Sequence, residues 1–236
     1  MYILSELTVI IPSKNDHLRI EENFGKILNF LNEQIENFEI LIVSNGSIED
    51  STDYIDNLIK ENLLIKHIIL QKPGKGLAIK EGILRSKFKN ILFTDADLSV
   101  DISEFKNFVD KGNLLSGFVI GNRKNVLSQN LKSPFIRKLS GFIYQFILKI
   151  LLNLEIEDTQ CGFKAINKDL FKECIQFETT GFSFDVELLI LAIKNTITIS
   201  EVPVTYVHDS NSQVSVLKDA SKMIFEVYKI YKKHNG

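Results

Sequence analysis

Two aspartates stand one residue apart directly after a short apolar run. The run at residues 90–94 (NILFT) is typical of a buried strand, and Asp95 and Asp97 follow it. Two carboxylates this close together are costly unless a cation neutralises them. Mg²⁺ or Mn²⁺ needs only one or two protein carboxylates when substrate phosphates supply the other ligands. The pair therefore predicts a divalent metal site, with a solvated turn that caps the next helix as the alternative.

A lysine between two glycines opens another predicted helix. Gly74, Lys75 and Gly76 follow the apolar run at residues 65–70, so the first amides of the helix and the lysine ammonium could receive a phosphate. The spacing does not match a P-loop, which has four residues between its glycines and then Lys-Ser/Thr. A plain glycine turn without a ligand fits these residues equally well.

The elements that carry these residues alternate between strand and helix. Short β-branched runs occur at residues 7–11, 38–43, 65–70 and 90–94, with helical periods between them, the first of which includes Phe24 to Ile35. This alternation predicts an α/β fold with a mostly parallel central sheet flanked by helices. Ligands of such sheets bind beyond the carboxyl ends of the strands, where the residues above are placed.

The second half of the chain is less regular. It contains predicted strands at 118–121 and 163–166, an extended segment at 197–207, and predicted helices at 134–154, 184–194 and 214–234. No internal repeat and no Pro/Gly/Ser-rich linker interrupts it. We therefore expect a single domain that covers residues 1–236.

Composition argues against several classes of function. With 28 Lys and Arg against 30 Asp and Glu, the net charge is −2, so no excess of cations is present to bind nucleic acid. Two cysteines are too few for a structural zinc site and are typical of a reduced, cytosolic protein. We also identify no signal peptide and no apolar run of the ~18 residues that a membrane span needs, and we expect a cytoplasmic protein.

Together the motifs resemble the family-2 inverting glycosyltransferases of the GT-A fold. The resemblance rests on the segments IPSKND, VSNGSIEDST, KPGKG, DADLS and GNR. It narrows at DTQCGFK (158–164), FDVELL (184–189) and EVPV (201–204), which are similar to the dolichyl-phosphate glucosyltransferase branch and its bacterial relatives. DTQCGFK is far more specific than two spaced aspartates. The similarity covers nearly the whole chain.

The resemblance implies a metal-dependent, inverting transfer of a hexose. The donor is expected to be a UDP- or GDP-sugar, the acceptor a polyprenyl phosphate, and the cofactor Mg²⁺ or Mn²⁺. Residues 1–122 are expected to form the nucleotide-sugar-binding half and residues 123–236 the acceptor-binding half. The product would belong to polysaccharide or glycolipid biosynthesis.

The resemblance also implies roles for single residues. Asp97 is expected to be the main metal ligand, with Asp95 near the metal or the ribose. Arg123 is expected to face the diphosphate or the acceptor phosphate, Asp185 to lie at the reaction centre, and Gln160 to line the same cavity. The other residues expected at the nucleotide site are Pro12, Asp16, Ser44, Asn45, Lys75 and Ala96.

One departure from the family pattern leaves alternatives open. Where many members have V-D-D-G-S, this chain has Val43-Ser44-Asn45-Gly46-Ser47, without either carboxylate. The preferred nucleotide is therefore open, and a non-catalytic module that binds a nucleotide sugar is conceivable, although the intact DADLS argues against it. A soluble enzyme that adds a sugar to a hydroxyl of a capsule or lipopolysaccharide glycan is the other alternative. Asp185 would be its general base, whereas a phosphate acceptor is already an anionic nucleophile.

Three features allow two interpretations each. The helix at 135–154 is apolar nearly all round and begins with Arg137 and Lys138, so it is either buried or in peripheral contact with the inner face of an anionic membrane. His208 is either a half-exposed surface histidine or a third metal ligand. Cys161 is expected to be a packed residue rather than a nucleophile, since no base is paired with it in the sequence.

Overall fold

The first half of the chain alternates strands and helices, as its β-branched runs and helical periods predict. The structure is a computed structural model that describes residues 2–60, 62–123, 147–149, 155–181, 183–207 and 216–235. Its first elements are β1 (Leu4–Ser13), α1 (His17–Gln34), β2 (Ile35–Asn45), α2 (Glu49–Ile59), β3 (Ile65–Leu70), α3 (Lys75–Arg85) and β4 (Asn90–Phe93). All four predicted strands are confirmed.

One residue of this half was assigned to the wrong element. Its helical spacing placed Ile35 at the end of the first helix, but Ile35 is the first residue of β2 and pairs with Leu4 of β1. Both side chains are buried in the core. An apolar residue at the junction of a helix and a strand satisfies both periods, so spacing alone could not locate the boundary.

The second half continues the same sheet after a short irregular stretch. It contains a 3-10 helix (Ile102–Phe108), β5 (Val109–Asp110), β6 (Asn113–Leu114), β7 (Phe118–Asn122), β8 (Lys164–Asn167), a 3-10 turn (Cys174–Gln176), α4 (Phe184–Lys194), β9 (Ile199–Pro203) and α5 (Val216–Asn235). The helix predicted at 184–194 is confirmed, as are both short strands. The hairpin of β5 and β6 was not predicted.

Seven strands form one twisted sheet in the order β3-β2-β1-β4-β8-β7-β9. Only β8 runs antiparallel to its neighbours, which confirms an α/β fold with a mostly parallel sheet. Along the chain, the strand order reverses between β1 and β4. Open α/β sheets bind their ligands in the crevice at such a reversal, because the loops that leave the two strands diverge there.

Apolar side chains bury both faces of the sheet. Val9 and Ile11 pack with α1, α2 and the 3-10 helix on one face, whereas Ile10 packs with α3 and α4 on the other. This alternation follows from the period of two along a strand. The layers on both faces hold the strand ends, and hence the loops beyond them, in fixed positions.

A third apolar cluster joins α4 and α5 to residues 147–149, which are helical. Leu148 is buried there against Val186, Ile190 and Val227. The described part of the helix expected at 135–154 therefore packs in the protein; its other residues, including Arg137 and Lys138, lie outside the described residues. Over the described ranges, no helix combines the length and the apolar character that crossing a bilayer requires.

Candidate active site

The carboxyl ends of β1 and β4 lie side by side at the centre of the sheet. Ile10 pairs with Phe93, and the Thr94 amide donates to the Ile10 carbonyl at 3.1 Å. The loop that begins at Lys14 therefore leaves β1 beside the turn that carries Asp95 and Asp97. This is the crevice at which the strand order reverses.

The turn with the two aspartates is held in one conformation by several contacts. The Leu98 amide donates to the Asp95 carbonyl at 3.2 Å, and Leu98 itself has a φ of 45°. A bulky residue in this left-handed region is strained and needs support from its surroundings. The Ser99 amide supplies some by donating to Asp97 Oδ1 at 2.9 Å, and Asn23 of α1 donates to the Ala96 carbonyl at 3.1 Å.

Lys75, the first residue of α3, forms an ion pair with Asp95. Its Nζ lies 2.6 Å from Asp95 Oδ1. Burial acts against both charges, but the carboxylates of Asp95, Asp185 and Asp97 outweigh it and raise the pKa of Lys75. In the same way, the Lys75 ammonium overcomes the effect of burial and lowers the pKa of Asp95. Both groups are therefore charged at neutral pH.

The glycines around Lys75 serve close packing rather than anion binding. The amides of Gly76 and Leu77 donate to the Thr180 carbonyl at 2.9 and 3.4 Å, so the first turn of α3 already has an acceptor. A Cβ at Gly76 would lie 2.4 Å from the Thr179 carbonyl oxygen. Of the two interpretations of these residues, the contacts of the Gly76 and Leu77 amides favour the glycine turn without a ligand. The ammonium of Lys75 is then the group at the start of α3 that could bind an anion.

The segment Asp158–Lys164, which we call the signature segment, lies against the aspartate turn. A Cβ at Gly162 would lie only 2.0 Å from Asp95 Oδ2, so glycine is needed for this approach. Asp158 binds Arg123 through both carboxylate oxygens, at 2.7 Å from Nε and 2.8 Å from Nη2. The guanidinium also lies 5.3 Å from the centre of the Tyr206 ring. Arg123 is therefore oriented by the signature segment.

Cys161, in the middle of the signature segment, is fully buried and has no disulfide partner. Burial raises the pKa of its thiol. A buried thiol that stays protonated is a poor nucleophile. The expectation that Cys161 is a packed residue is confirmed.

Asp185 lies at the amino end of α4 and is paired with a buried lysine, Lys164. Its Oδ1 is 2.8 Å from Nζ of Lys164, and the side chains of Asp185 and Lys164 are only 7% and 1% exposed. Burial raises the pKa of Asp185, although the ammonium groups of Lys164 and Lys75 oppose that effect. Asp185 is thus a buried carboxylate whose charge depends on nearby lysines.

Two buried polar atoms find no hydrogen-bond partner among the described residues, Ser13 Oγ and Gln160 Nε2. Ser13 ends β1, and Gln160 lies in the signature segment. A buried donor or acceptor without a partner costs free energy, so each such atom calls for an explanation. A polar ligand in the crevice would supply the missing partners.

The side chains of Ser44 and Asn45 are engaged within the protein. Ser44 Oγ lies 2.8 Å from Nε2 of His67, and Nδ1 of the same ring lies 2.7 Å from Asp56 Oδ1. This Ser–His–Asp chain resembles a hydrolase triad, but Ser44 is fully buried in β2 and cannot reach a substrate. Asn45 donates to the Ser13 carbonyl at 2.8 Å and accepts from the Gly74 amide at 2.9 Å. These residues support the loops around the crevice.

Asp16 also has partners within the protein. It accepts hydrogen bonds from Arg19 at 3.0 Å and from the Lys14 amide at 3.1 Å. The next loop is tied to it, because Asn15 binds both the Ser47 hydroxyl and the Ile48 amide. The loops after β1 and β2 are therefore connected to each other; the expected residue Asp16 lies in the first loop, and Pro12 precedes it as the next-to-last residue of β1.

The aspartate turn offers ligands of the type that Mg²⁺ and Mn²⁺ prefer. Asp95 and Asp97 each use Oδ1 within the protein, and neither Oδ2 has a donor among the described residues. No group of three or more acidic, histidine or cysteine side chains arranged to hold a metal ion occurs in the described part of the chain. Two carboxylates with a substrate diphosphate would complete a magnesium or manganese site. His208, the third ligand considered, lies outside the described residues.

Sequence reasoning missed Lys164, Asp158, Gly162 and Glu187, all of which lie in the two quoted motifs. A signal was present in one case, since Lys164 interrupts an otherwise apolar predicted strand. A charge in a buried strand needs a partner, and the partner turns out to be Asp185. The contacts of Asp158, Gly162 and Glu187 depend on tertiary packing and leave no such signal in the sequence.

Known proteins are similar to this chain in sequence along most of its length. The family model described as Glycosyl transferase family 2 matches residues 8–175. A dolichyl-phosphate beta-glucosyltransferase of Dictyostelium discoideum is 30% identical over 95% of this chain and 73% of its own length. The enzyme of that name from Saccharomyces cerevisiae is 31% identical over 92% of this chain and 71% of its own length.

Solved structures share the fold at lower identity. Mannosyl-3-phosphoglycerate synthase of Rubrobacter xylanophilus superposes with a TM-score of 0.69 at 15% identity, over 98% of this chain and 73% of its own. Glucosyl-3-phosphoglycerate synthase of Mycobacterium tuberculosis, crystallised with Mn²⁺, UDP-glucose and phosphoglyceric acid, has a TM-score of 0.67 at 14% identity, over 98% and 79%. At such identities the likeness shows the fold alone, and it confirms the expected GT-A fold.

Proposed function

The chain belongs to glycosyltransferase family 2, and from this we propose that it transfers a hexose from a nucleotide sugar to a polyprenyl phosphate with inversion at the anomeric carbon. Glucose is the first sugar to test, because both curated relatives above are named as glucosyltransferases that act on dolichyl phosphate. The acceptor is a membrane lipid, so we place the reaction at a membrane surface.

One observation carries this proposal. Two Asp–Lys ion pairs meet at the crevice: Asp95 with Lys75, and Asp185 with Lys164. Lys75 interacts electrostatically with Asp185 as well as with Asp95, so the two pairs form one cluster. A diphosphate leaving group requires cations on one side of the reacting carbon, and an anionic acceptor requires a positioning group on the other.

The donor side uses the aspartate turn and Lys75. Asp97 and Asp95 would hold Mg²⁺ or Mn²⁺, which when bound neutralises charge that develops on the leaving diphosphate. The ammonium of Lys75 donates hydrogen bonds to phosphate oxygens and shares that charge. The fixed turn keeps both carboxylates in place before the donor arrives, so little reorganisation is needed in the transition state.

The acceptor side uses Asp185 and Arg123. A phosphate oxygen of the acceptor attacks the anomeric carbon while the bond from that carbon to the diphosphate breaks, so no proton has to be removed. Asp185 orients the reacting groups, and Arg123, held by Asp158, faces an acceptor or donor phosphate. Gln160 contributes its Nε2, which has no partner among the described residues, to the same cavity.

Transfer to a hydroxyl is the second candidate function, and the raised pKa of Asp185 favours it. A hydroxyl must lose its proton as it attacks, and a buried carboxylate with a raised pKa is a better base than an exposed one. The acceptor in that case is a glycan rather than a lipid phosphate. The two candidates share the donor site and differ only at Asp185.

The test is a transfer assay with the purified protein. UDP-glucose and GDP-mannose are offered with Mn²⁺, Mg²⁺ or EDTA, and with either undecaprenyl phosphate or an oligosaccharide acceptor. We expect glycosylated lipid phosphate, formed only with metal. Glycosylated oligosaccharide would establish the second candidate instead. Donor binding without transfer or hydrolysis under any condition would contradict both and favour a binding module.

A further inference from the structure

Lys164 occupies an unusual position for a charged residue. It is the first residue of β8 and lies between two strands, because it pairs with Phe93 of β4 and with Ile120 of β7. Its side chain is 1% exposed. Lysine is almost never fully buried without a partner, since burial removes the hydration of the ammonium. Its neighbours therefore have to supply the compensating contacts.

Two groups of the active site supply those contacts. Nζ of Lys164 lies 2.8 Å from Asp185 Oδ1, and it also donates a hydrogen bond to the Cys161 carbonyl. One ammonium thus joins the amino end of α4 to the signature segment. The sheet fixes the backbone of Lys164 on both sides, and the contacts with Asp185 and with the Cys161 carbonyl hold its ammonium.

We propose that Lys164 is a positioning residue that holds the side chain of Asp185 in place at the reaction centre. This inference rests on the proposed function, because it requires that Asp185 takes part in transfer. Lys164 itself does not have to touch donor or acceptor. Its effect on catalysis passes through the carboxylate it binds.

Electrostatics support this assignment. Burial raises the pKa of Asp185, and Lys164 is the strongest of the groups that oppose the rise. Without Lys164, Asp185 would be left as a buried carboxyl that is protonated more readily and free to rotate. A buried ion pair is weak evidence for stability, because a neutral, well-packed pair often serves as well. The pair is therefore better explained by the site than by the stability of the fold.

The experiment is a double-mutant cycle on kcat and on the donor KM. Lys164→Met, Asp185→Asn and the double variant are compared with the wild type in the lipid phosphate assay. We expect Lys164→Met to lower kcat by roughly 10²-fold, the size of a misplaced catalytic group, with the donor KM changed by less than about threefold. Adding Lys164→Met to Asp185→Asn should then lower kcat no further.

Lys168→Met is the matched control. Lys168 lies just past the other end of β8, where its Nζ binds Ser86 at 3.0 Å, away from the aspartate turn. Its kcat should equal that of the wild type. A Lys164→Met variant with normal kcat would overturn the proposal. So would a double variant whose loss equals the product of the two single losses, because Lys164 would then act on the substrates directly.

A second measurement does not depend on catalysis. Each single variant leaves one buried charge unpaired and should lower the melting temperature by roughly 10 °C, whereas the double variant removes both charges and should regain most of that loss. If the wild type transfers no sugar, the proposed function fails, but the melting temperatures of the variants still show whether Lys164 and Asp185 interact. Additive losses of melting temperature would then overturn the role of Lys164.

Discussion

The two Asp–Lys pairs of the active site differ in their access to solvent. Lys75 and Asp95 have side chains that are 22% and 39% exposed, whereas Lys164 and Asp185 are 1% and 7% exposed. The first pair joins a helix start to a turn at the rim of the crevice. The second joins a central strand to the amino end of α4 inside the protein.

This difference indicates two separate tasks. The Lys75–Asp95 pair is partly exposed, and ion pairs near the surface contribute little to stability, so we expect Lys75 and Asp95 to part when a diphosphate and a metal bind. A buried pair is costly to break, so we expect Lys164 and Asp185 to stay together throughout the reaction. We therefore expect the rim pair to govern donor binding and the buried pair to govern turnover.

The largest expected effect is on the donor side and comes from Asp97. Asp97→Asn keeps an acceptor for the Ser99 amide but weakens the hard-oxygen donor set. Metal-dependent turnover should fall by at least about 10³-fold, since a bound divalent ion contributes several kcal/mol to the transition state. The assay is transfer over a Mn²⁺ titration, with the exposed Asp110→Asn as control. Normal turnover of the Asp97→Asn variant would show that Asp97 does not hold the metal.

Acid pH should reveal the stabilising effect of Glu187, a buried carboxylate two residues after Asp185. Burial acts to raise the pKa of Glu187, but hydrogen bonds from Thr179, Lys233 and His234 lower it from 4.5 to about 2. A lowered pKa stabilises the fold above the unfolded value and loses that effect as pH falls toward 2. The contribution is about 3 kcal/mol at neutral pH.

Glu187→Gln should therefore unfold more easily at neutral pH and approach the wild type near pH 2. Urea unfolding of both proteins between about pH 2 and 7 measures the difference. Glu178→Gln is the control, because Glu178 also pairs with Lys233 but its side chain is 75% exposed. Parallel stability curves for Glu187→Gln and the wild type would contradict the assignment.

Gly162→Ala should damage the rim pair with less effect on folding. The added Cβ would lie 2.0 Å from Asp95 Oδ2, so the carboxylate has to turn away from Lys75 and from the metal position. We expect kcat/KM to fall by roughly 10²-fold. Gly25→Ala is the control, since a Cβ there meets nothing within 4 Å and alanine favours helix α1. Equal activity of the two variants would show that Asp95 needs no fixed position.

The smallest effect is expected for Lys75→Met, and it distinguishes the two pairs directly. Loss of one charged hydrogen bond to a phosphate should raise the donor KM by about tenfold. The melting temperature should change little, because the pair is partly exposed. The exposed Lys72→Met of the same loop serves as control. A large fall in melting temperature, as expected for Lys164→Met, would erase the distinction between the pairs.

The sequence determined the fold class and the positions of most elements. Apolar residues that recur with a period of two in strands or 3.6 in helices can be recognised in the local sequence. The predicted bounds of β3 and α4 therefore agree with the structure to the residue. Boundaries between adjacent elements were harder, as Ile35 shows. The two-residue strands β5 and β6 are too short to display a period.

The site was partly predicted, because parallel strands bring their carboxyl ends to one edge. This rule predicts that Pro12, Lys75, Asp95 and Asp97 lie around one crevice. It did not predict that Thr180 occupies the amides of α3, since the contact joins segments about one hundred residues apart along the chain. Contacts of this kind carry no local signature.

Residue types by themselves determined which chemistry was available: paired acids for a cation, lysines for phosphates and a strand-end geometry for a nucleotide. Only the tertiary structure decided which lysine partners which aspartate, and which of the two pairs water can reach. The physical reason is that the strength and lability of an ion pair depend on burial, and burial is a property of the packed protein rather than of any segment.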